Sequence, residues 1–353
     1  MPQNIVVREV GKETLEEQVR IFNRVFGINM SLETWTYKHY ENPLGASKAF
    51  IAFDGNKAVG INMFIPMQYV YAGQIFNAVQ SCDSSVDPDY RRKGIFSKII
   101  LFAEHSLADK GYDLIIGYPG REKSFPGFLK LGWNHVCNLS NMFIMRNVAK
   151  IIDVKFHVTL PTWINRFTNL KITKIKNNAD RIKNLHLDIV ETLPFTDEEY
   201  KQMIVKEHIS FYVNKDIIAW KFAKSRYIFY TVCEDKTVIA GFIVDCRTDR
   251  GLCKANVIAH FKNTHDTQKF SSAFSLLLVH LWEKTDYINT WKTKSQIENN
   301  ITDKNGFITV NEKIISLPFI TRILTKDKDK INMLMNNALW NPENIEIDSI
   351  LNA

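Results

Sequence analysis

Cysteine is scarce in this 353-residue chain: Cys82, Cys137, Cys233, Cys246 and Cys253 form an odd set with no CxxC pair. That argues against a disulfide framework and a zinc ribbon, and fits the reducing cytoplasm. Long apolar runs are missing too. No stretch approaches the ~20 residues of a membrane span, and Met1 to Glu9 carries no leader-like apolar segment. Glycine (15) and proline (10) are few, which excludes collagen-like and low-complexity chains. Charge is only mildly unbalanced, at +7. This suits an anionic ligand such as a nucleotide, or weak contact with nucleic acid or an anionic membrane. What remains is a chain 45% apolar and 12% aromatic, globular in composition and long enough for two domains.

Periodicity orders the first part. Residues 5–10 alternate as a strand, and Thr14 with Glu17 has the spacing of a capping box ahead of a helix that Gly27 ends. Ser31 can cap a second helix, stopped by Asn42-Pro43. Strands are expected at Ala49–Phe53, Ala58–Pro66, Met67–Tyr71 and Phe76–Val86, then a helix over Ser97–Lys110. Leu114–Ile116 reads as a short strand, Glu122–Leu131 as a short helix and Trp133–Ile144 as a closing strand. Residues 150–184 are basic with scattered apolar positions and read as a connecting helix or linker, with a basic membrane-surface helix as the alternative.

From about Leu185 the layout recurs. Trp35 to Phe64 and Ala219 to Val244 both run aromatic helix, strand, turn and a strand containing glycine, Gly60 and Gly241 respectively. Lys130-Leu131-Gly132-Trp133 matches Lys304-Asn305-Gly306-Phe307. Duplication explains this order better than chance. The expected units are therefore 1–149, a connector 150–184, a second domain 185–325, and a tail 326–353 docking on the second domain.

The stretch Val86-Asp87-Pro88-Asp89-Tyr90-Arg91-Arg92-Lys93-Gly94-Ile95-Phe96-Ser97 carries the chemistry. A strand ends, and a basic loop containing one glycine opens into a helix. Unpaired backbone N–H groups and the positive helix end then converge where a pyrophosphate fits. Arg91, Arg92 and Lys93 add charge, although the same three residues also read as a solvated basic turn. His260, His265 and His280 lack metal-ligand spacing, so no metal is expected.

Arg91-Arg92-Lys93-Gly94-Ile95-Phe96, with its Val86-x-Pro88-x-Tyr90 lead-in, resembles the signature of the GNAT (GCN5-related N-acetyltransferase) superfamily. Phe96 departs from the Gly or Ala usual at the last position. Phe125 to Trp133 is similar to that family's closing helix and its Lys-x-Gly-aromatic ending. The second half places Asp266 to Ser271 opposite Asp89 to Gly94 and has no glycine there, so it resembles a degenerate copy. The resemblance implies an α/β fold of two GNAT-like units, each a mostly antiparallel sheet flanked by helices. It also implies acetyl-CoA as co-substrate, held by Val86, Arg91, Arg92, Lys93, Gly94, Ile95, Phe96 and Ser97.

By the same resemblance, a backbone N–H near Val86 polarises the thioester. Asp83 is the candidate base, or else a carboxylate bound to local backbone or solvent. The tyrosine usual as acid is replaced by Phe128, so Tyr118 is the candidate donor, or else a packing residue. Trp35, Tyr37, His39 and Tyr40 line the acceptor pocket or are half-buried helix residues. The expected reaction is N-acetylation of a small amine, most readily an amino sugar or polysaccharide precursor. Neither nucleic acid nor a membrane span is expected. Aminoacyl transfer from tRNA and non-catalytic CoA binding are the alternatives.

Overall fold

The computed structural model describes residues 5–204, 206–223, 226–293, 305–310 and 316–348. Lys304, part of the second glycine match, lies outside the described residues.

The first half runs β1 (Ile5–Val10), α1 (Leu15–Phe26), α2 (Leu32–Tyr40), β2 (Lys48–Asp54), β3 (Lys57–Tyr71), β4 (Gln74–Val86), α3 (Ile95–Asp109), β5 (Leu114–Gly117), α4 (Phe125–Lys130) and β6 (Asn134–Met145). The connector forms α5 (Val148–Phe156) and α6 (Arg166–Ala179). Then follow β7 (Leu185–Val190), α7 (Asp197–Met203), β8 (Ser210–Phe211), α8 (Lys215–Lys221), β9 (Tyr227–Glu234), β10 (Thr237–Asp249), β11 (Leu252–Lys262), α9 (Thr267–Trp282), β12 (Tyr287–Trp291), β13 (Ile308–Thr309), β14 (Ser316–Ile323) and α10 (Lys328–Met335).

The two halves repeat one layout, and parallel pairs β4–β5 and β11–β12 sit at matching places in them. One mixed sheet unites both halves in the order β1-β2-β3-β4-β5-β14-β6-β12-β11-β10-β9-β7. Segment 185–325 is therefore not a closed unit. Its last strand, β14, inserts between β5 and β6, while β6 runs on to pair with β12. Gly60 and Gly241 lie where a helix or loop presses on the sheet. A Cβ would sit 2.9 Å from Ile95 at Gly60 and 2.6 Å from Phe195 at Gly241.

Ser31 caps α2 as expected, accepting from the Thr34 N–H at 3.0 Å. Thr14 makes no side-chain cap, because its hydroxyl donates back to the Gly11 carbonyl and residues 12–14 tighten into a 3₁₀ turn. The strands expected at 58–66 and 67–71 are one, running through Pro66. β2 stops at the Lys48–Phe64 pair, so β3 is an edge on that side at Pro66, a setting that accommodates proline. α3 buries Ile95, Ile99, Ile100, Ala103 and Leu107 along one face. Each large aliphatic there contributes about 1.5–3 kcal/mol.

The tail does not stop at the second half. Trp340, Ile345 and Ile347 are buried, and Trp340 packs edge-on against Tyr69 of β3 and Phe319 of β14. No helix among the described residues is long and apolar enough to cross a membrane.

Candidate active site

β4 and β5 pair from Ala78–Leu114 to Ser81–Gly117 and then part, while β4 continues against β3 as far as Val86–Gly60. The side of β4 facing β5 therefore has no strand partner beyond Ser81 among the described residues. The register slips at Cys82–Ser85, where Asp83 takes φ 52°, a bulge that re-aims side chains just before the loop.

The loop is anchored from below. Asp87 is fully buried, accepts from the Asp89 N–H at 3.1 Å and meets the Arg24 guanidinium at 2.8 Å. Tyr90 donates to Asp54 at 2.8 Å, and the Lys93 ammonium lies 4.7 Å from its ring centre. These ties leave Arg91, Arg92, Lys93 and Gly94 exposed. Arg92 (φ 63°) and Gly94 (φ 73°) are both left-handed, the alternation that turns successive backbone N–H groups inward as an anion nest. No side chain caps α3 at Gly94, so its first N–H groups remain open to a ligand.

Ile95 is buried in the core, and Ser97 is half-buried. The Phe96 ring packs edge-on against Phe128 at 5.0 Å, and a Cβ on Gly127 would meet it at 3.1 Å. The larger residue at this position is thus accommodated by a glycine on α4. Phe128 itself is buried between Phe96 and Trp133.

The second half differs at the equivalent turn. α9 starts at Thr267, which places Asp266, not Ser271, opposite Gly94. The Asp266 carboxylate accepts from the Gln268 and Lys269 N–H groups at 2.7 and 3.1 Å. Only residues 263–266 separate β11 from α9, against 87–94 in the first half. The anion position of that helix is already filled by the protein's own carboxylate.

Beside the gap lies a buried polar cluster that joins both halves and the tail. Tyr118, just after β5, donates to Glu346 at 2.6 Å, and Tyr69 of β3 donates to the same oxygen at 2.5 Å. Glu346 is fully buried, and burial pushes its carboxyl up to about 7 despite the two hydroxyls. Burial and the Glu346 charge hold Tyr118 well above the ordinary phenol range, so it keeps its proton. Lys221 of α8 donates to the Glu346 backbone carbonyl at 3.2 Å, and burial lowers its pKa to about 8. Glu346 carries no motif and lies 228 residues from Tyr118 in sequence, so nothing local pointed to it.

Asp83 is bound to the Lys38 ammonium at 2.7 Å and to His39 Nε2 at 2.9 Å. Lys38 also reaches Asp348 of the tail at 3.1 Å. Burial alone would raise the Asp83 pKa, but Lys38 and His39 outweigh it and hold it well below the carboxylate range. His39, Cys82 and Asp83 have metal-ligand proximity, but the ammonium already occupies the carboxylate.

The expected acceptor residues are engaged elsewhere. Trp35 is fully buried and donates to Gln18 at 2.9 Å, and Tyr40 shares that glutamine. Tyr37 donates to the Trp220 carbonyl at 2.5 Å, and the Trp220 indole N–H returns a bond to the Tyr37 carbonyl at 3.2 Å. His39 is fully buried against Ser47 and Asp83. These residues pack α2 against the core and α8, and Tyr40 also lines a surface pocket with Glu9, Lys12 and Ser47. His260 is half-buried, and desolvation depresses its pKa to about 4; His280 contacts Lys284 at 2.9 Å.

The sequence of residues 6–136 matches the acetyltransferase (GNAT) domain family. Residues 6–136 are a GNAT acetyltransferase domain. The chain is accordingly an acyltransferase. No curated protein matches it in sequence. Among solved structures it resembles a GCN5-related N-acetyltransferase from Anabaena variabilis, with TM-score 0.66, 12% identity, and coverage of 91% of this chain and 73% of that one. An Enterococcus faecalis protein described as a probable N-acyltransferase has TM-score 0.65 and 12% identity, covering 91% and 72%. Saccharomyces cerevisiae N-myristoyltransferase with bound myristoyl-CoA has TM-score 0.60 and 12% identity, covering 93% and 84%. At such identities the likeness is one of fold, and it extends over both halves and not the GNAT domain alone.

Proposed function

We propose that the chain transfers an acetyl group from acetyl-CoA to the primary amine of a small molecule, an amino sugar or polysaccharide precursor being the favoured class. The observation that carries this is the uncapped start of α3 at Gly94, opening beside the point where β4 and β5 part. Arg91, Arg92, Lys93 and the N–H groups from Gly94 to Ser97 hold the pyrophosphate. A backbone N–H of β4 near Val86 polarises the thioester carbonyl. The amine nitrogen forms a bond to the carbonyl carbon, the carbon–sulfur bond breaks, and Tyr118 supplies a proton to the departing thiolate.

The amine proton must go to an acceptor matched to neutral pH. Asp83 is a weak acceptor, since Lys38 and His39 stabilise its ionised form. Glu346, at about 7 and bonded to Tyr118, fits the role and can return a proton to that tyrosine. The open loop disfavours aminoacyl-tRNA as donor, which has no pyrophosphate to place there. A cytoplasmic location accords with the free cysteines.

Thermal unfolding with and without acetyl-CoA tests this reading, alongside Gly94→Trp, whose φ of 73° penalises any side chain. Ligand at 100 times its dissociation constant adds about 2.7 kcal/mol, a rise of several degrees in the wild type and none in the variant. Absence of a wild-type shift would remove acetyl-CoA as the donor. A shift without turnover on any amine would leave a CoA-binding protein.

A further inference from the structure

We propose that the connector between the two halves docks the protein on an anionic lipid surface. The proposal stands on its own observations and is independent of the acetyl donor and acceptor. Single exposed apolar side chains are ordinary on a protein surface, whereas a concentration of them calls for a partner. Here Phe156 (68% exposed), Val158 (48%), Trp163 (56%) and Leu170 (75%) fall within one short stretch at the end of α5 and the start of α6.

The same stretch is strongly basic. From Lys155 to Lys183 there are seven lysines and arginines against one acid, Asp180. α6 divides cleanly between its two sides. Thr168, Ile172, Ile175 and Ala179 are buried, and Asn178 is bonded to Ser271 and Ser275 of α9. Arg166, Leu170 and Lys174, at i, i+4 and i+8, form an exposed stripe on the other side. The connector has no counterpart within either repeated half, so the common sheet does not require its outward face.

Chemistry selects the partner. A bilayer with anionic headgroups takes up tryptophan, phenylalanine and aliphatic side chains at its interface and attracts lysine and arginine around them. Val158 and Leu170 offer nothing to a phosphate or a nucleobase, which disfavours nucleic acid. A second copy of this chain would set the basic face against itself.

The test is flotation of the full-length protein with phosphatidylcholine vesicles, with and without added phosphatidylglycerol. Binding is expected only to the anionic vesicles, falling with salt. It should fall about tenfold or more in the triple variant Phe156→Ser/Trp163→Ser/Leu170→Gln. The charge variant Arg166→Glu/Lys174→Glu, at two exposed positions, should behave likewise and carries the test if the triple variant does not fold. Both variants should keep the wild-type unfolding midpoint and acetyl-CoA shift. Failure to bind anionic vesicles, equal binding to both kinds, or undiminished binding by the variants would overturn the proposal. So would binding to an oligonucleotide in place of vesicles.

Discussion

Burial and local partners sort two acidic groups, Asp83 of β4 and Glu346 of the tail, into opposite roles. Asp83 and Glu346 are both hidden from solvent, but only Asp83 has a cation on its carboxylate. Glu346 accepts from two phenols, which favour its ionised form but are outweighed by desolvation. Because its folded pKa, about 7, lies above the unfolded value, the native state binds the extra proton between the two. Stability from this group is full below about pH 4.5 and is lost as pH rises through 7. Glu346→Gln should flatten that slope, by about 3 kcal/mol at most, in denaturant titrations run across this pH range. The same variant should lower kcat strongly and erase an acidic limb near pH 7, with acetyl-CoA affinity unchanged. A pH–rate profile identical to wild type would exclude Glu346 as the proton acceptor.

Among the elements, the tail behaves least like an appendage. Residues 337–348 place Trp340, Ile345 and Glu346 in the interior and Asp348 on Lys38. Deleting the chain after Met335 removes a buried tryptophan and two isoleucines and strips Lys38 of one partner. We expect a loss of at least about 3 kcal/mol in urea unfolding, together with complete loss of transfer. A truncated protein as stable as the full chain would mean that the tail merely covers the surface. The two equivalent loops show how few residues separate a binding turn from a closed one. An aspartate fills the N-terminus of α9, whereas a left-handed glycine leaves that of α3 open.

On the scale of the whole molecule, each half completes the other. β14 supplies the strand beside β5, and β6 supplies the strand beside β12. Residues 1–149 expressed alone would expose an unpaired edge of β5 together with apolar surface around Phe319 and Ile320 contacts, a setting for aggregation. That fragment should be insoluble or molten by near-ultraviolet circular dichroism. Co-expression with residues 150–353 should restore a folded complex. A cooperative unfolding transition in the isolated fragment would show that β14 is dispensable.

The sequence by itself determined most of the element order of the first half and the basic glycine-containing turn at Arg91–Gly94, because both rest on local rules of periodicity and turn chemistry. It also marked the connector as a basic, partly apolar segment. The exchange of β6 and β14 was decided only by tertiary structure, since strand pairing across the chain leaves no local trace. The same holds for Asp83, Trp35, Tyr37 and His39. Their residue types fitted a site, but their partners come from distant segments and determine which charges persist. Glu346 was illegible for the same reason. A lone glutamate near the end of a chain acquires a shifted pKa only when the fold surrounds it with Tyr69 and Tyr118 and excludes water.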